Sequence, residues 1–175
     1  PEGTPGQGFV VRQKDNLPPV GVLNLQGQTF MKPIENPFFA ANEAVEELRR
    51  ETSIIFVDMH AETTSEKIAM GRFLDGRVSA VVGTHTHVQT ADEQLFPGGT
   101  AFLCDAGFTG PQDSILGREI EPILRRFTTY RPQRFRVAAG RVTLNGALIE
   151  IDEANGKARS IERISELLPK HNSEE

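Results

Sequence analysis

The sequence predicts an α/β fold: a parallel or mixed sheet with helices on its faces, followed by an antiparallel β-meander. Short β-branched runs alternate with segments of helical periodicity through the first two thirds of the chain. The last third instead alternates apolar and polar residues around an Ala-Asn-Gly-Lys turn at 154–157. Gly- and Pro-bearing loops punctuate the junctions.

Residues 1–19 read as loop, with Phe9-Val10-Val11 a short strand. Val20 to Gly27 reads as a buried strand. Asn36 then suits an N-cap, with Pro37 at the first helical position. Phe38, Ala41, Val45 and Leu48 keep helical spacing and give that helix one apolar stripe. Ser53 to His60 is a β-branched run ending in polar residues. Thr63 and Glu66 have the spacing of a capping box, so a second helix follows, with Ile68, Phe73 and Leu74 as its apolar side and Gly76 at its stop. Arg77 to Gly83 is the next strand, and Gly98 to Gly110 another that runs into a glycine-bearing loop. Glu119 to Phe127 reads as a short helix interrupted early by Pro122. Beyond it comes the hairpin, and the acidic end His171 to Glu175 reads as a frayed tail.

With 175 residues the chain is one domain of ordinary size, or a large piece of one. A formal net charge of −5 argues against stable nucleic-acid or anionic-membrane binding. It leaves room for a small phosphate substrate, because a metal can supply local positive charge. The single cysteine, Cys104, allows no internal disulfide and fits a reducing, cytoplasmic setting; in an apolar strand it reads as a small core residue. No stretch approaches membrane-spanning length.

Three strands end in polar clusters: Val57-Asp-Met-His-Ala-Glu62, Val81-Val-Gly-Thr-His-Thr-His87 and Phe102-Leu-Cys-Asp-Ala-Gly107. The carboxyl ends of adjacent strands in an α/β sheet line one edge, where ligands bind. That edge would gather Asp58, His60, Glu62, His85, His87 and Asp105. Histidine is the commonest transition-metal ligand, and three of the four histidines fall here. His85 and His87, at i and i+2, would share one face if on a strand, and in a loop could reach two neighbouring ions. By themselves they read equally as ligands or as hydrogen-bonded strand-end residues; His60 at a second strand end favours ligation. Gly83 before them permits a sharp exit or a close backbone approach. Asp58 either orients the His60 imidazole from behind or caps the following helix. Glu62 reads as a surface residue at helix entry. For Asp105, loop stabilisation is preferred over a place behind a ligand. His171 reads as solvent-exposed. No G-x-S-x-G elbow is present, so metal-assisted hydrolysis is the best chemical reading.

The stretch from Asp58 to Gly117, with the motifs HAE-TSEK, GTHTHVQTAD and PGGTAF-CDAGFTGP, resembles the YmdB-like calcineurin-like metallophosphoesterases of bacteria. GTPGQG at 3–8 and LNLQGQTFMKPIENPFFAANE at 23–43 fit the same family, so the resemblance spans nearly the whole chain. It implies a four-layer α/β/β/α sandwich with a two-metal site, hydrolysing nucleoside 2′,3′-cyclic phosphates to 3′-phosphates. His60, His85 and His87 match the family's metal ligands, with His60 and His85 on one ion and His87 on the other. Two Mn or Fe ions are implied, with Zn an alternative. Asp58 and Asp105 are candidates to stand behind the ligands. The family's other ligands, an Asp, a Glu-Asn pair and a further Asn beside a proton-donating His, match nothing here. Residues 1–175 therefore read as the C-terminal portion of one such domain lacking its first strands, inactive alone and holding at most one weak metal. A homo-oligomer is compatible with this. A metallophosphoesterase for another phosphate ester, or a regulatory protein retaining the fold, are the alternatives.

Overall fold

The computed structural model describes residue 3 and residues 5–168. His171 and the expected frayed tail lie outside the described residues. The elements run β1 (Phe9–Arg12), β2 (Val20–Gln26), α1 (Pro37–Leu48), β3 (Ile54–His60), α2 (Thr64–Phe73), β4 (Ala80–Thr84), β5 (Gln94–Leu95), β6 (Ala101–Leu103), β7 (Gly110–Pro111), α3 (Ile120–Thr129), β8 (Val142–Ile151) and β9 (Ala158–Leu167). The α/β class expected from the sequence is what forms. Among the described residues no helix is long and apolar enough to cross a membrane.

The chain divides into two units, Pro1–Gly107 with Ala147–Arg163, and Phe108–Gly146 with Ile164–Glu175. The first holds a six-stranded sheet in the order β1-β2-β3-β4-β6-β5. Its four central strands are parallel, and β1 and β5 close the two edges antiparallel. β5 was not legible as a strand, because two residues show no period. β2 and β3, and β3 and β4, are linked through α1 and α2, which pack on one face. Leu23 and Leu25 of β2, Ile55, Val57 and Met59 of β3, and Val81 of β4 point to that face and join Ala41, Val45 and Leu48 of α1 in one core. Burying side chains of this kind contributes about 1.5–3 kcal/mol apiece. On the opposite face the inner parts of β8 and β9 lie against the sheet, where Ile149, Ala158 and Ile161 meet Phe56, Ala80 and Ala101. An α/β/β layering results.

α1 starts as its sequence predicts: the Asn36 side chain accepts from the Phe38 N–H at 2.9 Å, with Pro37 in the first turn. α2 departs from expectation twice. Thr63 is its N-cap but makes no side-chain cap bond, because its hydroxyl donates to Glu66 Oε2 at 3.1 Å. The Glu66 carboxylate turns away from the cap and accepts the Gln28 and Thr29 N–H groups at 2.9 and 3.1 Å. Burial opposes its charge, but those donors win and hold its carboxyl below the ordinary value. The buried face of α2 is also different. Leu74 is buried as expected, but Ile68 and Phe73 are exposed, and Met70, Gly71 and Lys67 are buried instead.

The second unit holds β7, paired antiparallel with the start of β8, and α3. Pro122 does not interrupt α3; it occupies the first turn, where no intrahelical N–H is needed. The hairpin expected around 154–157 is present. Asp152 accepts from the Ala154 and Gly156 N–H groups, and Gly156 takes φ +73°.

Candidate metal centre at the strand ends

β2, β3 and β4 end in register. Asn24 pairs with Asp58 and Asp58 with Val82; Gln26 pairs with His60 and His60 with Thr84. Asn24, Asp58, His60 and Thr84 therefore project to the face that β8 and β9 cover further down, at its carboxyl edge. They form one hydrogen-bonded chain. Asn24 Nδ2 donates to Asp58 Oδ2 at 2.8 Å, and Thr84 Oγ1 donates to Asp58 Oδ1 at 2.8 Å. His60 Nδ1 lies 2.9 Å from Thr84 Oγ1. An ionised Asp58 can only accept, so the Thr84 proton points to it. The Thr84 oxygen is then placed to accept from His60 Nδ1–H, which leaves the lone pair of His60 Nε2 facing His85. Asp58 thus orients the imidazole through Thr84 rather than directly, and it does not cap α2.

His85 faces that nitrogen, with Nδ1 3.1 Å from His60 Nε2 and the two rings edge-on at 4.9 Å between centroids. Its other nitrogen, Nε2, is 2.6 Å from Glu62 Oε2. Glu62 is an exposed residue at the entry to α2, as its sequence position suggested, and it also reaches this cluster. His85 and His87 do not lie on a strand. β4 ends at Thr84, and both histidines take left-handed backbone, with φ 118° and 64°. Of the two placements, a shared strand face and a loop, the chain takes the loop. Non-glycine residues take such angles only where the surroundings impose them, and such positions concentrate at functional sites.

Asp105 stabilises loops, as preferred from sequence, and does so from a buried ion pair. It is buried to 1% exposure and ion-paired at 2.9 Å with Lys67, itself 1% exposed. It also accepts from Thr86 N–H at 3.0 Å, Thr86 Oγ1 at 2.7 Å and Gly107 N–H at 2.9 Å. Burial raises its carboxyl, but the bonds from Thr86, Lys67 and Gly107 outweigh burial and hold it below the ordinary value. Sequence reading missed Lys67. Its signal was the spacing 67, 70, 71 and 74, which puts it on the buried stripe of α2. Gly83 is required by close approach, since a Cβ there would run into the Cys104 carbonyl oxygen and stand 2.5 Å from Lys67 Cδ. Cys104 is a buried thiol pushed up by burial, consistent with a packing role.

Two imidazoles and a carboxylate of this kind suit a borderline transition metal. With its tautomer fixed, His60 fits as one ligand and His85 as a neighbouring one, in a larger set. Among the described residues no group of three His, Cys, Asp or Glu side chains is arranged to hold an ion unaided.

Histidines and carboxylates thus gather at the carboxyl edge of a parallel sheet, the edge at which α/β folds generally carry their ligand sites. The chain belongs to the YmdB-like protein family, whose model matches residues 1–164. It is 54% identical over 164 residues to the 2′,3′-cyclic-nucleotide 2′-phosphodiesterase of Bacillus subtilis (strain 168), covering 94% of this chain and 62% of that protein. The crystal structure of a hypothetical protein from Thermus thermophilus matches with a TM-score of 0.88 at 39% identity, over 97% of this chain and 65% of that one. A novel phosphatase from Mycoplasma pneumoniae matches with a TM-score of 0.82 at 35% identity, over 93% and 58%. The chain therefore spans about three fifths of the length of these relatives.

Proposed function

We propose that residues 1–175 are the C-terminal portion of a metal-dependent phosphodiesterase that opens nucleoside 2′,3′-cyclic phosphates to 3′-phosphates. The observation that carries this reading is the Asp58–Thr84–His60 chain, which leaves one imidazole nitrogen as a lone-pair donor directed at His85. The name of the Bacillus subtilis relative supports the substrate class and the bond cleaved.

In this reading His60, His85 and His87 hold two metal ions of the Mn or Fe type, and the remaining ligands come from sequence that the relatives carry outside the matched region. Bound metal supplies a hydroxide at neutral pH and neutralises charge on the phosphoryl oxygens. The histidines of this chain hold position and do not exchange protons with substrate. Asp58 and Thr84 fix the His60 tautomer, and Glu62 orients His85.

Hydrolysis of 2′,3′-cyclic AMP by the full-length gene product with Mn²⁺ tests the reading. Release of 3′-AMP is the expected result. No turnover by protein shown to carry metal would overturn the substrate assignment.

A further inference from the structure

We propose that the buried Lys67–Asp105 ion pair is a positioning device for the loop that carries His85 and His87. The inference rests on the reading above, that these histidines hold metal. A buried ion pair is a poor way to stabilise a fold, since apolar residues of similar size are often neutral or better in its place. Its presence at 1% exposure therefore calls for another role.

That role is visible in what Asp105 grips. Thr86 lies between the two left-handed histidines, and Asp105 Oδ2 accepts both its N–H and its hydroxyl. Bonds to an ionised acceptor are shorter and stronger than neutral ones. Here they converge on the one residue whose displacement would move both imidazoles. Lys67 holds the same oxygen at 2.9 Å, and its Nζ lies 3.4 Å from the carbonyl of Thr84, immediately before the loop. Gly83 leaves the space that the Lys67 stem occupies. Further along, the segment is fastened to the same strand end. Asp105 N–H donates to Thr90 Oγ1 at 2.9 Å, Thr90 N–H to the Asp105 carbonyl at 3.1 Å, and Cys104 N–H to Asp92 Oδ1 at 3.1 Å. The chain from 86 to 92 is thus tied at Thr86, Thr90 and Asp92 to residues 104 and 105. The network lies on the α2 side of the sheet, whereas Asp58, Thr84 and His60 act from the other side. Lys67 and Asp105 are positioning residues; neither is assigned a contact with substrate.

The test uses the full-length gene product, with Mn²⁺ affinity measured by calorimetry and amide exchange of residues 85–88 measured without metal. The double variant Lys67→Met/Asp105→Leu replaces the pair by apolar side chains of similar size. Its fold should survive, its Mn²⁺ affinity should fall about 10–100-fold, and its loop amides should exchange faster. Thr86→Val, which removes only the hydroxyl grip, should weaken Mn²⁺ about tenfold, and it decides the matter if the double variant does not fold. Leu74→Ala opens a cavity in the same helix and should lower the melting temperature while leaving Mn²⁺ affinity unchanged. Wild-type affinity and exchange in the folded double variant, or in Thr86→Val, would overturn the proposal. So would an equal loss of affinity in Leu74→Ala, because the effect would then be general loosening. Absence of Mn²⁺ binding by the wild-type protein would instead overturn the reading of the metal centre, and this inference with it.

Discussion

Thr84→Val is the sharpest single perturbation of the candidate metal centre. It keeps the shape and the β-branch of the residue and removes only the hydroxyl. That oxygen stands 2.8 Å from Asp58 Oδ1 and 2.9 Å from His60 Nδ1, so two hydrogen bonds disappear together. Asp58 keeps its bond from Asn24 and stays in place. The bond to the carboxylate is of the stronger class, at about 1.5–3 kcal/mol. Thr84 is only half-buried, so water takes up part of that loss and about 1–2 kcal/mol of stability is a fair expectation. For a chain of this size that lowers the melting temperature by roughly 2–8 °C. The larger effect is on His60, whose proton is no longer directed to Nδ1. Partners behind a metal ligand are worth about 10–100-fold in metal affinity, which is about 1.4–2.7 kcal/mol. Calorimetric titration of the full-length gene product with Mn²⁺ would show this loss. Thr84→Ser, which keeps the hydroxyl, should retain most of the affinity. Wild-type affinity in Thr84→Val would refute the tautomer reasoning, because the Asp58–Thr84–His60 chain would then have no bearing on the nitrogen that faces His85.

Three further outcomes are expected. His60→Ala should lower both metal occupancy and hydrolysis rate in the full-length protein; a variant that keeps two metals and full activity would remove His60 from the ligand set. Gly83→Ala drives a methyl group into the Cys104 carbonyl and the Lys67 stem, and should cost about 3 kcal/mol and roughly 6–12 °C in melting temperature. Stability should also fall in acid through Asp105. Its folded carboxyl lies below its unfolded value, so its contribution is complete above about pH 4 and is lost as the pH falls through the lower folded value. The Lys67→Met/Asp105→Leu variant should show a shallower decline in melting temperature over that range, and an unchanged acid profile would show that Asp105 carries none of it.

Much of this molecule follows from local rules. The first helix could be read in detail, because Asn36, Pro37 and the spacing 41, 45, 48 are short-range signals that tertiary contacts did not override. The strand end bearing Asp58 and His60, and the edge just before His85, were legible for the same reason, since an apolar run that stops at polar residues marks an edge. The second helix was read only in part. Of Ile68, Phe73 and Leu74, only Leu74 is buried, and Met70, Gly71 and a lysine complete the stripe. A propensity argument has no means of burying Lys67 until its partner is known, and that partner lies 38 residues away.

By itself the sequence determined the alternation of strands and helices, the family, and the gathering of histidines and carboxylates at one edge. Each of these depends on residue type and on spacing along the chain. Only the tertiary structure decided which nitrogen of His60 faces Thr84 and which faces His85, that Glu62 reaches His85, and that Lys67 and Asp105 grip Thr86 between two left-handed histidines. Those facts depend on strand register and on contacts between residues 19 to 38 positions apart, where hydrogen-bond direction and burial are set by neighbours that sequence order does not reveal.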